Sequence, residues 1–289
     1  MKHAYLLIVH HEFELLNKLL IAIDDHRNDI FIHFDKKVQY IPKLSVQHAG
    51  LYILDNRIDV RWGDVSQIQS EYVLFEAANL KGPYSYYHLL SGVDMPLKNQ
   101  NEIHQFFNDN LGYEFIGFTQ GDIKKEIERK VMKYHLFPRY FRHNSVLLIF
   151  LVRVIRYITI RLQYLLGYSR NNNVEFKKGT SWVSVTEEFV TFLLSSKTKV
   201  LKMYRNSFCA DEIFLHTLCW NSIFRSKIYD IKNEANGCKR LIGWKDGDIV
   251  DWKDNDYLII SRSDAIFARK FNSKNMVVVN RILNKIITK

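Results

Sequence analysis

Asp211 and Glu212, two adjacent carboxylates that open an apolar stretch, are the candidates for acid–base chemistry. A positioned carboxylate can take a proton from a hydroxyl group in a transition state when its surroundings tune its pKa. Carboxylates in a first helical turn are also favoured by the helix dipole, so simple capping is the alternative interpretation. We therefore treat Glu212 as a candidate general base whose role needs support from other residues.

Arg240, Arg269 and Lys270 are a second candidate group, a set of cations late in the chain. Fixed positive charges stabilise the negative charge that develops on a leaving diphosphate, and arginine matches phosphate oxygens bidentately. The alternative is that these residues are ordinary surface charges, because a chain with 41 lysines and arginines will contain some clusters of cations by chance. These residues predict an anionic ligand only if the fold brings them together.

Two Asp-x-Asp patterns, Asp246-Gly-Asp248 and Asp254-Asn-Asp256, could hold a divalent cation through oxygen ligands. Both lie in a stretch rich in Gly and Asp that is typical of turns. We expect no metal site, and we keep a metal-dependent reaction through Asp246 and Asp248 as the alternative.

The composition is that of a globular protein with a basic surface: 289 residues, 47% hydrophobic, with a net charge of +10. A positive surface points to an anionic partner, such as nucleic acid, phospholipid headgroups or a phosphorylated small molecule. No DNA- or RNA-binding motif accompanies the charge. Nucleic-acid binding is therefore kept only as an alternative, and no nucleic-acid partner is expected.

The cysteines and the hydropathy pattern predict a compartment. Cys209, Cys219 and Cys238 include no Cys-x-x-Cys pair, which suits a reducing environment. The N-terminal apolar run is broken by His10, so we expect no signal peptide. No stretch reaches the roughly 18 uncharged residues of a membrane-spanning helix. Together these features predict a cytoplasmic protein.

Apolar runs and helical spacings alternate along the chain, which predicts a mostly parallel sheet with helices on both faces in one domain, residues 1–289. Predicted strands cover residues 4–9, 29–35, 51–54, 58–62, 84–91, 114–118 and 178–185. Predicted helices cover residues 15–23, 66–78, 101–108, 187–194 and 264–270, with another near Asp211. Ligands bind beyond the carboxyl ends of such strands, so the turn Ser91-Gly92-Val93-Asp94 is a predicted ligand site.

Residues 120–175 are a basic insertion, and their second part, residues 144–168, is strongly apolar. At helical spacing Arg153, Arg156 and Arg161 fall on one broad face, with apolar residues around the remainder. Three arginines argue against a membrane span and suit a helix that lies in the interface of an anionic membrane. The alternative is a helix packed on the domain with its arginines facing water.

Eight short motifs, taken in order, resemble one family: glycosyltransferase family 14, the core-2/I-branching β-1,6-N-acetylglucosaminyltransferases and the peptide O-xylosyltransferases with their bacterial relatives. The most distinctive motif is Tyr87-His-Leu-Leu-Ser-Gly-Val-Asp-Met-Pro-Leu97. The others are Ala4-Tyr-Leu-Leu-Ile-Val-His-His11, Ile32-His-Phe-Asp-Lys-Lys37, Val60-Arg-Trp-Gly63 with Ser66, Lys178-Gly-Thr-Ser-Trp182, Ala210-Asp-Glu212, Arg240-Leu-Ile-Gly-Trp244 and Phe267-Ala-Arg-Lys-Phe271. Each motif is weak alone, and their shared order along nearly the whole chain carries the resemblance.

The resemblance implies a GT-A-type, Rossmann-like α/β fold, a UDP-sugar donor, inversion at the anomeric carbon and no required metal or other cofactor. The implied roles are general base for Glu212 and binding of the donor or acceptor for the rest. Donor contacts are expected from Val9, His10, Asp35, Trp62, Ser66, Asp94, Arg240 and Lys270. Sugar or acceptor contacts are expected from Glu128, Arg129, Trp182 and Asp211.

Two departures from the family pattern shape the remaining expectations. Ala210 stands where the family usually has proline, which leaves the Glu212 assignment intact. The lumenal animal members are cysteine-rich and membrane-anchored, and this sequence has neither feature. We therefore expect a bacterial enzyme, cytoplasmic or peripheral at the inner membrane face, that moves GlcNAc or xylose to a glycan or lipid-linked acceptor in surface-polysaccharide or glycoconjugate synthesis.

Overall fold

The computed structural model describes residues 1–287, which form a central five-stranded sheet, a three-stranded sheet and a short hairpin. The strands are β1 (His3–Val9), β2 (Asn28–Phe34), β3 (Gly50–Ile53), β4 (Tyr86–Ser91), β5 (Asp94–Pro96), β6 (Ser184–Thr186), β7 (Arg240–Ile242), β8 (Trp244–Lys245), β9 (Asp248–Ile249) and β10 (Phe267–Arg269). The helices are α1 (Phe13–Ile23), α2 (Ser66–Asn79), α3 (Gln100–Asp109), α4 (Lys124–Val131), α5 (Val146–Leu165), α6 (Glu187–Ser195), α7 (Lys197–Tyr204), α8 (Phe214–Trp220), α9 (Glu234–Cys238), α10 (Tyr257–Arg262) and α11 (Met276–Ile287).

The central sheet has the strand order β3-β2-β1-β4-β6. Its first four members are parallel, and β6 runs antiparallel to β4. Strands β2 and β4 are buried along their whole length, which explains why they read as apolar runs without a polar face. The fold-class prediction is therefore confirmed: this is a mixed α/β chain with a mostly parallel central sheet, the arrangement expected of the GT-A type.

Helices cover both faces of this sheet and build a core on each side. On one face, Leu15, Leu19 and Val279 from α1 and α11 pack against β1 and β2. On the other face, Phe75 and Phe189 from α2 and α6 belong to a second buried cluster. The two covered faces leave the carboxyl edge of β1, β2 and β4 as the place where polar groups can collect.

The three-stranded sheet has the order β5-β10-β7 and fastens the end of the chain to that edge. Strand β10 is antiparallel to β5 and parallel to β7. The register places Arg269 opposite Asp94 and Phe267 opposite Arg240. Residues distant in sequence are thereby brought beside the turn that follows β4.

The structure corrects four predicted elements. Residues 58–62 are not a strand, because the backbone of Ile58 bonds to Lys36 and to the His33 ring instead of a strand ladder. Residues 114–118 form only isolated bridges, and of 178–185 only the last two residues join β6. The predicted helix at 264–270 contains β10, since pairing with β5 and β7 outweighs local helical preference.

The insertion contains α4 and α5, and α5 is the predicted helix of residues 144–168. Val152 is the only residue of α5 that is buried. Arg156 of the same helix lies over the rings of Phe141 and Phe208, which partly shield it from water. Across residues 1–287, no helix combines the length and the apolar character needed to cross a bilayer.

Candidate active site

A cavity of about 470 Å³ opens at the carboxyl ends of β1 and β4. Its lining combines cations, an indole and the small-residue turn after β4. The lining residues are Ile8, His10, His11, Glu12, Ser91, Gly92, Val93, Trp182, Asp251, Arg269, Lys270, Phe271, Asn272 and Lys274. Of the residues predicted to contact a donor, His10 and Lys270 therefore face this cavity, together with Trp182 from the sugar or acceptor group. We refer to this space as the donor cavity.

Asp94 lies beneath the donor cavity and fixes its floor. Its carboxylate accepts hydrogen bonds from the backbone N–H and the hydroxyl of Ser91, at 2.8 and 2.9 Å, and pairs with Arg269 at 3.2 Å. Burial raises the pKa of Asp94, and the Arg269 guanidinium counteracts part of that shift. Arg269 also stacks on Trp182, with the guanidinium carbon 3.9 Å from the ring centre. Asp94 thus positions Arg269 and the turn, and its own carboxylate is occupied.

Val9 and Asp35 stand at the ends of β1 and β2. The Asp35 N–H donates to the Val9 carbonyl at 2.9 Å, which joins the two strand ends. The Asp35 carboxylate is held by Lys37, whose ammonium lies 2.7 Å away. Val9 is buried, and its side chain lies against Gly92. Neither residue lines the donor cavity; Val9 lies behind Gly92, which does, and Asp35 lies at the neighbouring strand end.

Arg240 and Lys270, the two late cations that the resemblance assigns to the donor, are placed differently. Lys270 lies in the cavity lining, with its ammonium 3.7 Å from Asp251. Arg240 is 1% exposed and points into the interior, where it donates to the carbonyls of Cys238 and Val183 and to the Ser184 hydroxyl. Burial lowers the pKa of Arg240 to about 10. In this structure Arg269, rather than Arg240, presents the arginine at the cavity surface.

Glu212 lies in a cluster of alternating charges. Its carboxylate is 3.1 Å from the Lys130 ammonium and 3.5 Å from that of Lys178. Glu126 bridges the same two ammonium groups at 2.8 Å each. The two cations lower the pKa of Glu126 to about 2 against the effect of burial. The Glu212 side chain remains 39% exposed, so it is fixed in position and still accessible to a ligand.

Asp211 is directed away from solvent. One carboxylate oxygen accepts hydrogen bonds from the Gln67 amide at 2.9 Å and the Ser181 hydroxyl at 3.4 Å. The other oxygen is buried without a partner. Burial and the Glu212 carboxylate raise the pKa of Asp211 to about 7. The two adjacent carboxylates therefore have different environments, and the accessible one is Glu212.

Two glycines allow the chain to approach closely the single 3-10 turn Ala210–Glu212, which we call the Glu212 turn. The Gly179 N–H donates to the Glu212 carbonyl at 3.0 Å, and a Cβ on Gly179 would collide with the Gly117 carbonyl. Gly63 has φ of +78°, and a Cβ there would lie 2.6 Å from the Phe208 ring. The segment 178–182 consequently runs from the Glu212 turn to Trp182 in the donor cavity, which links the candidate base to that cavity.

Trp62 and Ser66 lie on the other side of the Glu212 turn. Arg142 stacks on Trp62 at 4.0 Å, and Phe208 meets the same indole edge-on. Ser66 is buried, and its hydroxyl accepts a hydrogen bond from the Arg61 N–H at 2.9 Å. Ser66 begins α2 and does not cap it, because Val65 occupies the capping position. Neither residue lines the donor cavity as the structure has it.

Glu128 and Arg129 project from α4, the helix that also carries Lys130. Glu128 pairs with Lys133 at 3.2 Å. Arg129 lines a different cavity, formed with α5. The structure therefore separates this predicted acceptor pair from the donor cavity while keeping it on the helix that contacts the candidate base.

The Asp-x-Asp alternative lies on an exposed hairpin. Asp246 is in the turn between β8 and β9, and Asp248 opens β9. Within the described chain, residues 1–287, no group of three or more His, Cys, Asp or Glu side chains is placed to hold a metal ion. The acidic residues that do line the donor cavity are Glu12 and Asp251.

Sequence reasoning missed Lys130, Lys178 and Glu126 as partners of the candidate base. One signal was available: Glu126 and Lys130 have the four-residue spacing of an ion pair on one helix face. Nothing in the sequence indicated that this pair would meet Glu212, because 82 residues separate Lys130 from it.

Several known proteins are similar to this chain. A family model described as "Branch: Core-2/I-Branching enzyme" matches residues 3–265. Human xylosyltransferase 2 is 23% identical over 297 residues, which cover 93% of this chain and 32% of the relative. A mouse N-acetyllactosaminide β-1,6-N-acetylglucosaminyl-transferase is 23% identical over 291 residues, covering 93% of this chain and 68% of the relative. The crystal structure of mouse xyloside xylosyltransferase 1 in its apo form matches 94% of this chain at 12% identity, with a TM-score of 0.37.

The family match spans most of the chain, whereas the relatives are longer. The chain spans about a third of the length of the xylosyltransferase 2 relatives it matches. The matched range, residues 3–265, includes β1, β4 and the Glu212 turn in one alignment. The chain belongs to the core-2/I-branching enzyme family.

Proposed function

We propose that this protein is an inverting, metal-independent glycosyltransferase that moves a sugar, GlcNAc or xylose, from a UDP-sugar to an acceptor hydroxyl. The observation that carries the proposal is the accessible Glu212 carboxylate, held by two ammonium groups and linked through residues 178–182 to a cation-lined cavity. The relatives support it, since they are named as xylosyl- and N-acetylglucosaminyl-transferases.

The donor is placed in the donor cavity. Uracil and ribose contact the strand ends at Val9, His10 and Asp35. The diphosphate is assigned to the cationic wall, where Lys270 and Arg269 lie at the surface. Arg240 contributes to donor binding as a buried positive charge behind that wall. It acts from there because its guanidinium already donates to three acceptors in the interior. Cations at this wall stabilise the charge that develops on the leaving group.

The reaction is a single in-line displacement. The acceptor hydroxyl oxygen attacks the anomeric carbon, the bond from that carbon to the UDP oxygen breaks, and Glu212 takes the hydroxyl proton. UDP leaves with the bonding electron pair, and the configuration at the anomeric carbon inverts. Lys130 and Lys178 hold the base in place, which is the positioning that such a step needs.

The biological setting is also a proposal: synthesis of a bacterial surface polysaccharide or glycoconjugate at the inner face of the cell membrane, on a glycan or lipid-linked acceptor. Its support is α5, whose apolar side chains are largely exposed. Fractionation of cells tests it, because a protein found wholly in the soluble fraction would argue against this setting.

A screen of UDP-sugars in excess chelator tests the reaction. We expect UDP-GlcNAc or UDP-xylose to raise the melting temperature and to be hydrolysed slowly. UDP-glucuronate, whose sugar is neither of the proposed two, should have little effect on either measurement. Glu212→Gln is expected to keep donor binding and lose turnover by about 10²-fold or more, the scale of general-base catalysis. Glu175→Gln is the matched control, because Glu175 is an exposed carboxylate that, like Glu212, pairs with a lysine, here Lys177.

Two results would overturn the proposal. Near-normal turnover in Glu212→Gln would remove the base assignment. Activity that disappears in chelator and returns with a divalent cation would favour the metal-dependent alternative at Asp246 and Asp248.

A further inference from the structure

A second cavity, of about 540 Å³, lies between α4 and α5, apart from the donor cavity. Four arginines and two tyrosines dominate its lining. The lining residues are Arg129, Arg153, Arg156, Tyr157, Ile160, Arg161 and Tyr164. We call it the arginine cavity.

Within the described chain, no carboxylate lies in ion-pair range of a guanidinium group that lines the arginine cavity. Across residues 1–287, the arginines within 4.0 Å of a carboxylate are Arg27, Arg61, Arg139 and Arg269, and none of these lines the cavity. Like charges gathered without a carboxylate repel one another, and an anion bound among them relieves that repulsion. The composition of the cavity is therefore that of a site for an anion.

Arg156 anchors the cavity to the body of the protein. Its guanidinium carbon lies 4.6 Å from the Phe141 ring centre and 4.1 Å from that of Phe208. Burial, with a contribution from Arg129, lowers the pKa of Arg156. The aromatic contacts hold this cation in place, so the cavity is partly preformed.

An apolar ridge borders the arginine cavity along the outer face of α5. Its six members recur every three or four residues, as one helix face requires. They are Leu147, Leu151, Val154, Ile158, Leu162 and Leu165, all exposed, from 38% at Val154 to 82% at Leu165. An exposed apolar stripe of this length marks a surface that another apolar phase covers.

We propose that the arginine cavity binds the phosphate group of an anionic membrane lipid while the apolar ridge enters the adjoining acyl region. Arginine forks fit phosphate oxygens, and a basic helix with an apolar side lies at the depth where headgroups meet acyl chains. Nucleic acid offers the same phosphates but nothing for six aliphatic side chains to enter. The inference deepens the membrane setting proposed above and rests on it.

The position of the cavity connects it with the proposed reaction. Arg129 lines the cavity, and Lys130, the next residue of α4, pairs with Glu212. A lipid phosphate in the cavity would therefore contact the same helix that holds the base. This arrangement would bring the hydroxyl groups of a membrane-bound acceptor toward Glu212.

Vesicle binding tests the proposal with the full chain. We expect co-sedimentation with vesicles of phosphatidylglycerol and phosphatidylcholine, and little with phosphatidylcholine alone. Arg153→Gln/Arg161→Gln is expected to weaken binding about tenfold or more, from the contribution of each cation near an anionic surface. Lys199→Gln/Lys202→Gln, which removes two exposed charges from α7, is the charge-matched control and should change binding less than about threefold.

The apolar ridge has its own variant, Val154→Ser/Ile158→Ser, which leaves the charge unchanged. We expect it to weaken vesicle binding at least tenfold, since two apolar side chains lose their burial. Far-ultraviolet circular dichroism and the melting temperature of each variant establish that it is folded.

Three outcomes would overturn the proposal. The first is equal loss of vesicle binding in the α7 control, which would indicate net charge alone. The second is failure to bind phosphatidylglycerol vesicles while inorganic pyrophosphate stabilises the wild type but not the arginine variant, which would indicate a soluble anion. The third is RNA binding tighter than vesicle binding and lost in the same arginine variant. Donor hydrolysis by the wild type without vesicles is measured separately, so failure of the lipid site is distinguishable from failure of sugar transfer.

Discussion

The cations of the Glu212 cluster and of the donor cavity differ in their partners from the cations of the arginine cavity. Lys130 and Lys178 lie between Glu126 and Glu212, and Arg269 pairs with Asp94. The arginine cavity gathers four guanidiniums without a carboxylate in ion-pair range. Both regions belong to a basic chain, yet one neutralises its charge internally and the other leaves it for a ligand.

The difference follows from what each region would bind. A general base must meet a neutral hydroxyl, so internal ion pairs fix it without repelling the substrate. The arginine cavity keeps the full charge of its cations for an anion, whereas Arg269 and Lys270 in the donor cavity share theirs with Asp94 and Asp251. Internal pairing also has an energetic consequence, because removing one member of a buried pair leaves the other uncompensated.

The largest expected effect is on stability, at Arg269. Arg269→Met leaves the buried Asp94 carboxylate without its cation, and we expect a loss of about 3–5 kcal/mol in the free energy of unfolding, measured by urea denaturation. Arg153→Met, from the arginine cavity, is the matched control and should cost less than about 0.5 kcal/mol. Equal losses in the free energy of unfolding at both positions would show that internal pairing does not distinguish the two regions. The double variant Asp94→Asn/Arg269→Met should recover part of the loss, since it removes the stranded charge.

The next prediction concerns the pH dependence of stability, because the region around Glu212 contains a buried carboxyl group, that of Asp211, which titrates. Burial and Glu212 raise the pKa of Asp211 from its ordinary 3.8 to about 7. The folded state therefore binds more protons than the unfolded state between these values, and this contribution to stability is lost as the pH rises through 7. The slope reaches about 1.4 kcal/mol per pH unit for one group.

Asp211→Asn should flatten that slope, as measured by unfolding free energies between pH 5 and pH 8. Asp246→Asn is the control, because Asp246 is an exposed carboxylate in the turn between β8 and β9. A slope that is unchanged in Asp211→Asn would mean that other groups set the pH dependence.

How much of this site was predictable depends on how far apart its members lie in sequence. The turn Ser91-Gly92-Val93-Asp94 was predictable because a local pattern, a buried strand followed by small residues, defines it. Glu212 was found from an adjacent pair and a resemblance to a family motif. The pairing of Asp94 with Arg269 was not predictable, since 175 residues separate them and only the β5–β10 register joins them.

The corrected elements teach the same lesson. Residues 267–269 have no strong local preference for a strand, and pairing on both sides makes them one. Arg240 illustrates the limit for side chains: its motif matched, but only the fold reveals that its guanidinium faces the interior. Sequence spacing predicts neighbours within one element, whereas burial and partner choice arise from contacts between elements.

A smaller effect is expected at Lys130, which belongs to the internally paired region. Lys130→Met removes the nearer of the two ammonium groups from Glu212, and we expect kcat to fall about tenfold with little change in KM for the donor, since positioning of the base is lost. Lys130→Arg should restore most of the activity. The control is Lys197→Met, which breaks an ion pair with Glu76 that does not include a member of the Glu212 cluster. A fall in activity of the same size in the control would indicate general destabilisation.

The smallest effect is expected at the β8–β9 hairpin, where Asp246 and Asp248 lie outside both charged regions. Asp246→Asn/Asp248→Asn should change donor turnover less than about twofold, because these exposed carboxylates contact neither the donor cavity lining nor the Glu212 cluster. The assay is run in excess chelator and again with added Mn²⁺. If this variant alone lost a Mn²⁺-dependent activity, a metal ion rather than Arg269 and Lys270 would neutralise the charge on the leaving group. The contrast between paired and unpaired cations would then no longer explain catalysis.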